Sequence, residues 1–163
     1  MFYEIRYRPS YAVLQITLKP NEKIFVSLGT LIHMDKGLEL ERVFGGGWGG
    51  ALLRYCLGKH DLMLNAISNS TEKPLELTLN QTFPGDVTRL NLSKSGVVVC
   101  PAAYLAHTTG VTMGCHWLGF SSWLAGDGLV GLKLFGRGRV FLASYGSLVQ
   151  SAGSKRFIIE HPN

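Results

Sequence analysis

At 163 residues the chain is long enough for one domain with a real core and too short for two ordinary ones. Hydrophobic residues make up 46% and charged residues 17%, which excludes a disordered, solvating chain. The formal net charge of +5 permits contact with polyanions, but the sixteen Lys and Arg residues are scattered through the sequence rather than gathered as a nucleic-acid stripe requires.

Arg137 and Arg139, and Lys155 and Arg156, come close together without forming a longer basic run. Three cysteines, Cys56, Cys100 and Cys115, are odd in number and show no CxxC pairing. That argues against a disulfide framework or a zinc site and suits a reducing compartment. The opening "MFYEIRYRPS" has neither an apolar signal core nor an Arg-rich amphipathic presequence, so cytosol is the expected location. The sequons beginning at Asn69, Asn80 and Asn91 are then accidental.

In chain order, period-two alternation dominates. "AVLQITLK" puts Leu14, Ile16 and Leu18 on one face and Gln15, Thr17 and Lys19 on the other, the pattern of a half-buried strand. "KPNEK" is a turn, and "KIFVSL" is a continuous apolar run expected to be covered on both faces. Glu39 and Glu41 flank Leu40 on a further strand, where a solvated face explains paired carboxylates better than acid–base chemistry. Residues 45–50 are glycine but for Trp48, and the segment "ALLRYCL" after them reads as a short helix capped by Gly58. "PLELTLN" alternates through Leu75, Leu77 and Leu79, and "FPGD" offers Pro84 and Gly85 for the central positions of a type II turn. "SKSG" is another turn, "GVVVCP" another doubly covered run, and "GLVGLKLF" alternates through Val130, Leu132 and Leu134. No Asp, Glu, Lys or Arg lies between Lys94 and Asp127, but Pro101, Gly110, Gly114 and Gly119 interrupt the stretch. It reads as buried strands and turns rather than a membrane span.

The chain also resembles itself. Val13, Ile16 and Leu18 match Val87, Leu90 and Leu92; after a one-residue gap, Ile24, Val26, Leu31 and Gly37 match Val97, Val99, Tyr104 and Gly110. Both copies then pass through a Gly- and Trp-containing connection into another alternating strand. The expected architecture is one all-β domain over residues 1–163, a double-stranded β-helix or β-sandwich with one or two short helices. It is built from two pseudo-repeated β units at about 11–80 and 85–150.

Against this frame the candidate sites are weighed. The glycine run lacks the Lys-Ser/Thr of a P-loop and sits in a β-only context, so the letter match of Gly45, Gly47 and Gly50 to a dinucleotide fingerprint carries no weight. It is read as a strand exit. A cupin-like metal site would need closely spaced histidines, whereas His33, His60, His107, His116 and His161 form no HxH pair. His33 and His107 fall near equivalent places in the two repeats, but a lone histidine at a strand end is ordinarily satisfied locally. No GxSxG elbow or Cys–His arrangement is evident. No catalytic, cofactor or metal residue is therefore assigned. Trp48, Trp117, Phe120 and Trp123 occupy the two matching connections among few charges. They are the candidate oligomer or partner interface, with membrane-surface contact a more distant reading.

Several stretches carry a family likeness. "YEIRYRPSYAVLQITLKPNEKIFVSLGTLIHM", "FPGDV", "AYLAHTTGV", "GDGLVGLKLFGRGRVFLASYG" and the glycine connection, spanning Phe2 to Val149, resemble one widespread family. It includes the fungal protein named for altered inheritance of mitochondria and many bacterial proteins of unknown function. The resemblance implies a fold like that of the tryptophan RNA-binding attenuator protein, trimeric assembly in bacterial members, and a tie to inner-membrane organisation in the mitochondrial one. It implies no catalytic residues, and it makes a mitochondrial location the alternative for a processed eukaryotic member. Relatives continue into a further block of strands where this chain ends at Asn163, and they carry charges where "CHWLGFSSWLAG" is neutral, which favours an interface there. The expected function is a non-enzymatic, self-associating scaffold or adaptor, a homo-oligomer. RNA binding by fold analogy and a cupin-like metalloenzyme are the alternatives.

Overall fold

In a computed structural model of the chain, residues 1–44, 63–81, 83–93, 96–117 and 130–146 are described, and the alternating stretches become antiparallel strands with alternating burial. The first half supplies β1 (Phe2–Arg6), β2 (Val13–Leu18), β3 (Lys23–Ser27), β4 (Leu31–Met34), β5 (Leu38–Phe44), β6 (Met63–Asn69) and β7 (Leu75–Asn80). The second supplies β8 (Gly85–Ser93), β9 (Val97–Val99), β10 (Tyr104–Thr108), β11 (Val111–Trp117) and β12 (Val130–Tyr145). One 3-10 turn, Pro101–Ala103, precedes β10, and the described residues hold no α-helix. The helix expected for "ALLRYCL" lies outside the described residues, as does the glycine run.

Two sheets make a sandwich-like, all-β arrangement. The smaller has the order β1-β2-β7-β4; the larger has eight strands along β11-β12-β10-β3-β6-β5, with β8 and β9 also pairing β12. The pairings run in parallel between the halves: β2 and β4 flank β7 while β3 and β5 flank β6. In the same way β8 and β10 flank the C-terminal part of β12, while β9 and β11 flank its N-terminal part.

Two cores result. Leu14, Ile16 and Leu18 of β2, with Leu77 and Leu79 of β7, face Ile24, Val26, Ile67 and Phe141 of the larger sheet across the sandwich. The larger sheet curls over a second core of Leu64, Tyr104, Met113, Leu132, Leu134, Val140 and Leu142. Of the two continuous runs, "KIFVSL" serves both, with Ile24 and Val26 pointing into the first core while Phe25 packs on the second; in "GVVVCP", Val97 and Val99 pack on the second core and Val98 on neither. An alternating strand needs only one apolar face; β3 needs two.

Strand β12 changes partners midway. Through Gly136 it pairs with β11, and from Arg137 onward with β8. Gly136 makes the change possible, with a φ of +115° that side-chain-bearing residues rarely adopt. Gly85 has a different role from the one its sequence suggests. Its φ is not positive, so it is not the third residue of a type II turn; it opens β8 in extended conformation. What demands glycine is close approach, since a Cβ there would sit 1.7 Å from the Ser144 carbonyl oxygen. Gly85→Ala is expected to lower stability by about 2 kcal/mol through overpacking against rigid backbone. Gly114→Ala, whose added Cβ would first meet the Phe135 ring at an ordinary 3.5 Å, should cost less than about 1 kcal/mol. Urea unfolding of both variants measures the difference.

Candidate functional site

Trp48, Phe120 and Trp123 lie outside the described residues. Trp117 closes β11 opposite Val130, and its side chain also lies outside them. The apolar surface that the described residues do present is elsewhere, at the end of the sandwich where β8 begins and β12 ends.

The pleat explains how it forms. On one face of the β8–β12 ladder, Phe141 and Ala143 point into the first core, opposite Arg89 and Val87. Two residues further on, Tyr145 keeps that facing opposite Gly85, but the core has run out and the ring is 55% exposed. Phe83, just before β8, and Leu28, just after β3, are exposed beside it at 52% and 40%. These three side chains line a cleft of about 110 Å³, together with Pro101, Tyr104 and Leu105. One wall is held by Gln81, whose side-chain amide donates to the Ser144 carbonyl at 3.0 Å. Tyr11 adds a fourth large exposed side chain, its backbone bridging Gly85.

A charged strap fixes the loop that carries Tyr11. Arg8 donates through Nε and Nη2 to the two carboxylate oxygens of Asp86, each at 2.7 Å. Asp86 is buried, and the Val87 amide also donates to it at 2.8 Å. The Arg8 hydrogen bond is the main reason that the Asp86 carboxyl sits below its ordinary value, against the opposing effect of burial. The fork geometry gives the pair direction as well as charge.

Beneath the cleft lies a buried polar pair. The Tyr104 hydroxyl is 2.6 Å from Nδ1 of His107 and 3.2 Å from the Phe25 carbonyl, and the imidazole stacks on Phe25 at 5.0 Å between ring centres. Both contacts are satisfied if Nδ1–H donates to the tyrosine oxygen and the tyrosine O–H donates to the carbonyl. Burial pushes His107 down to about 4 and raises Tyr104 well above its usual value. The imidazole is therefore neutral at physiological pH, a packing element rather than a proton donor. His33 sits exposed on β4 in the other sheet. Among the described residues no three His, Cys, Asp or Glu side chains gather closely enough to hold a metal ion. No helix among them is long and apolar enough to cross a membrane.

Sequence reasoning did not single out Leu28, Phe83 or Tyr145. Strand termini give alternation nothing to read, and the one available signal is a large apolar residue placed directly before the Pro84 turn.

With its sheets, cores and end surface described, the protein falls in the class of all-β, sandwich-like proteins. It belongs to the family described as Mitochondrial biogenesis AIM24, whose profile matches residues 3–160. The crystal structure of protein SPYM3_0169 from Streptococcus pyogenes is similar in fold, with a TM-score of 0.68 and 19% identity over 90% of this chain. This chain spans 65% of the length of that protein, and the likeness concerns the fold alone. No protein of curated function matches it.

Two outcomes follow from the buried groups. His107 binds its proton more readily unfolded (6.5) than folded (about 4), so stability is full above 6.5 and declines as pH falls toward 4. The decline attributable to this group reaches about 3 kcal/mol, and His107→Phe should remove it from a plot of melting temperature against pH. Arg8→Ala leaves the buried Asp86 carboxylate without its cation; half-exposure of Arg8 limits the loss to about 2 kcal/mol, readable by denaturant unfolding.

Proposed function

We propose that this protein is a non-enzymatic β-scaffold that associates with copies of itself, made of two related β units in one domain. The observation that carries this reading is the cleft end: Leu28, Phe83 and Tyr145, all at least 40% exposed, line one cleft, and the exposed Tyr11 is bridged through its backbone to Gly85 beside it. Large apolar side chains gathered around a shallow cleft mark contact surfaces, because a lone soluble domain loses free energy by keeping them wet. The matched strand pairings of the two halves support the duplicated origin suggested by the repeat in the sequence. The aromatic connections around Trp48, Trp117, Phe120 and Trp123 belong to the same proposal as a second contact. A closed ring, a trimer, fits the resemblance that the sequence carries, and the family's name supports a role near mitochondrial organisation for related proteins.

Sedimentation equilibrium at micromolar concentration tests it. The wild-type chain is expected to run as a discrete oligomer, and Phe83→Ser with Tyr145→Ser to shift it toward monomer while leaving the far-ultraviolet circular dichroism unchanged. A wild-type protein that stays strictly monomeric across that range overturns the reading.

A further inference from the structure

On the same face of the β8–β12 ladder as Phe141, but at its other end, the core gives way to arginine. Arg137 stands opposite Ser93, Arg139 opposite Asn91, and Arg89 opposite Phe141, so Arg89, Arg137 and Arg139 share one face. Two of them converge on a single ring. The Arg89 guanidinium carbon lies 5.6 Å from the centre of the Tyr3 ring and that of Arg139 lies 5.8 Å from it. Arg89 Nη1 donates to the Tyr3 hydroxyl at 2.6 Å, and Arg139 Nη1 donates to the Met1 carbonyl at 3.3 Å. Tyr3 is itself seated edge-on against the buried Phe141 at 5.1 Å, which anchors the ring that both cations approach.

The fold gives Arg6, Arg8 and Lys23 carboxylate partners. Among the described residues no carboxylate lies within ion-pairing distance of Arg89, Arg137 or Arg139. The acids nearby are committed: Glu4 to Arg6, Asp86 to Arg8, and Glu22 to the Met1 amine and the Lys19 amide. The backbone carrying the cations is also rigid. The Arg137 amide donates to the Gly110 carbonyl at 2.9 Å, and the Arg139 amide to the Thr108 hydroxyl at 3.0 Å. Cation–π contact alone is weak at an exposed site and leaves the mutual repulsion of the guanidinium groups unrelieved. An oxyanion between them relieves it, and guanidinium forks match phosphate oxygens in number and angle.

We infer that Arg89 and Arg139, with Arg137 and the Asn91 amide beside them, form a binding site for a phosphate group. The ligand class is a compact, multiply charged phosphate, free in solution or presented as an anionic headgroup. A nucleic-acid strand is the less favoured occupant, because the patch is short and its aromatic ring is covered by the arginines rather than open for base stacking.

Calorimetric titration with inorganic pyrophosphate at low ionic strength tests the free form, and co-sedimentation with phosphatidic acid vesicles, against phosphatidylcholine vesicles as control, tests the headgroup form. Saturable binding of one phosphate group per chain is expected in at least one arm. Arg89→Gln with Arg139→Gln should weaken it by about tenfold or more, while Arg89→Lys, which keeps the charge and loses the fork, should give an intermediate loss. A rise in the wild-type melting temperature with pyrophosphate that disappears in the double variant would support the site if the free arm binds. Absence of saturable binding in both arms overturns the inference. So does binding that the folded double variant retains in full, or binding confined to a single-stranded oligonucleotide.

Discussion

One strand has to serve two cores, and the rest of the architecture follows from that demand. β12 places Phe141 and Ala143 in the space between the sheets and Val140 and Leu142 in the space inside the curled larger sheet. A straight strand could not do this while pairing β11 at one end and β8 at the other. The left-handed conformation of Gly136 turns the chain where the partners change, and Gly110 lies close enough there that a Cβ on it would meet the Arg137 carbonyl oxygen at 2.0 Å. Burial on both faces removes a large apolar area from water, about 25 cal/mol for each Å². It also leaves no room for error in register, because a slip of one residue would exchange the two cores.

The same period-two logic sets the ends of the strand apart. Along one face, arginine at 137 and 139 gives way to Phe141 and Ala143 and then to Tyr145. Charge, core and exposed aromatic succeed one another because the opposing sheet covers only the middle. A surface for cations and a surface for apolar contact thus emerge at opposite ends of one ladder. Their separation keeps the guanidinium groups away from a contact that would desolvate them at a cost of several kcal/mol per charge.

Much of this is legible in the amino-acid sequence, and the limit is physical. Leu14, Ile16 and Leu18 announce a half-buried strand because side chains alternate with every residue. "KIFVSL" announces double coverage because no polar face is left, whereas "VVV" carries the same signal and is packed on the second core alone. The repeat in apolar spacing points to two similar halves, although spacing alone cannot say which strands touch. Pairing between distant segments is where the reading stops. Arg8 and Asp86 are 78 residues apart, yet they make the bidentate strap that fixes Tyr11 beside Gly85. Tyr3 joins Arg89 and Arg139 only because β1 overlies the β8–β12 ladder. Gly85 shows a subtler limit: Pro-Gly is a sound turn signal, but here a neighbouring carbonyl needs the space more than the backbone needs a positive φ. The aromatic residues favoured from composition, Trp48, Phe120 and Trp123, fall outside the described residues, while the exposed apolar cluster uses strand termini that no periodicity marks.

The proposed self-association would set a further electrostatic condition. Each copy brings a formal charge of +5, so assembly concentrates like charge. At physiological ionic strength the screening length is about 8 Å, and exposed charges farther apart than that interact weakly. The apolar end meets this condition locally, because the cation nearest Tyr11 along the chain, Arg8, is already neutralised by Asp86. Of the uncompensated arginines, Arg137 and Arg139 lie at the far end of the ladder and Arg89 at its middle, where contact through the cleft would not press them together. Assembly through the opposite end would instead bring Arg137 and Arg139 of each copy, six cations in a trimer, face to face with only solvent ions between them. The placement of Arg8 against Asp86 therefore does more than tie down a loop: it clears positive charge from an end of the sandwich that exposes large hydrophobic side chains.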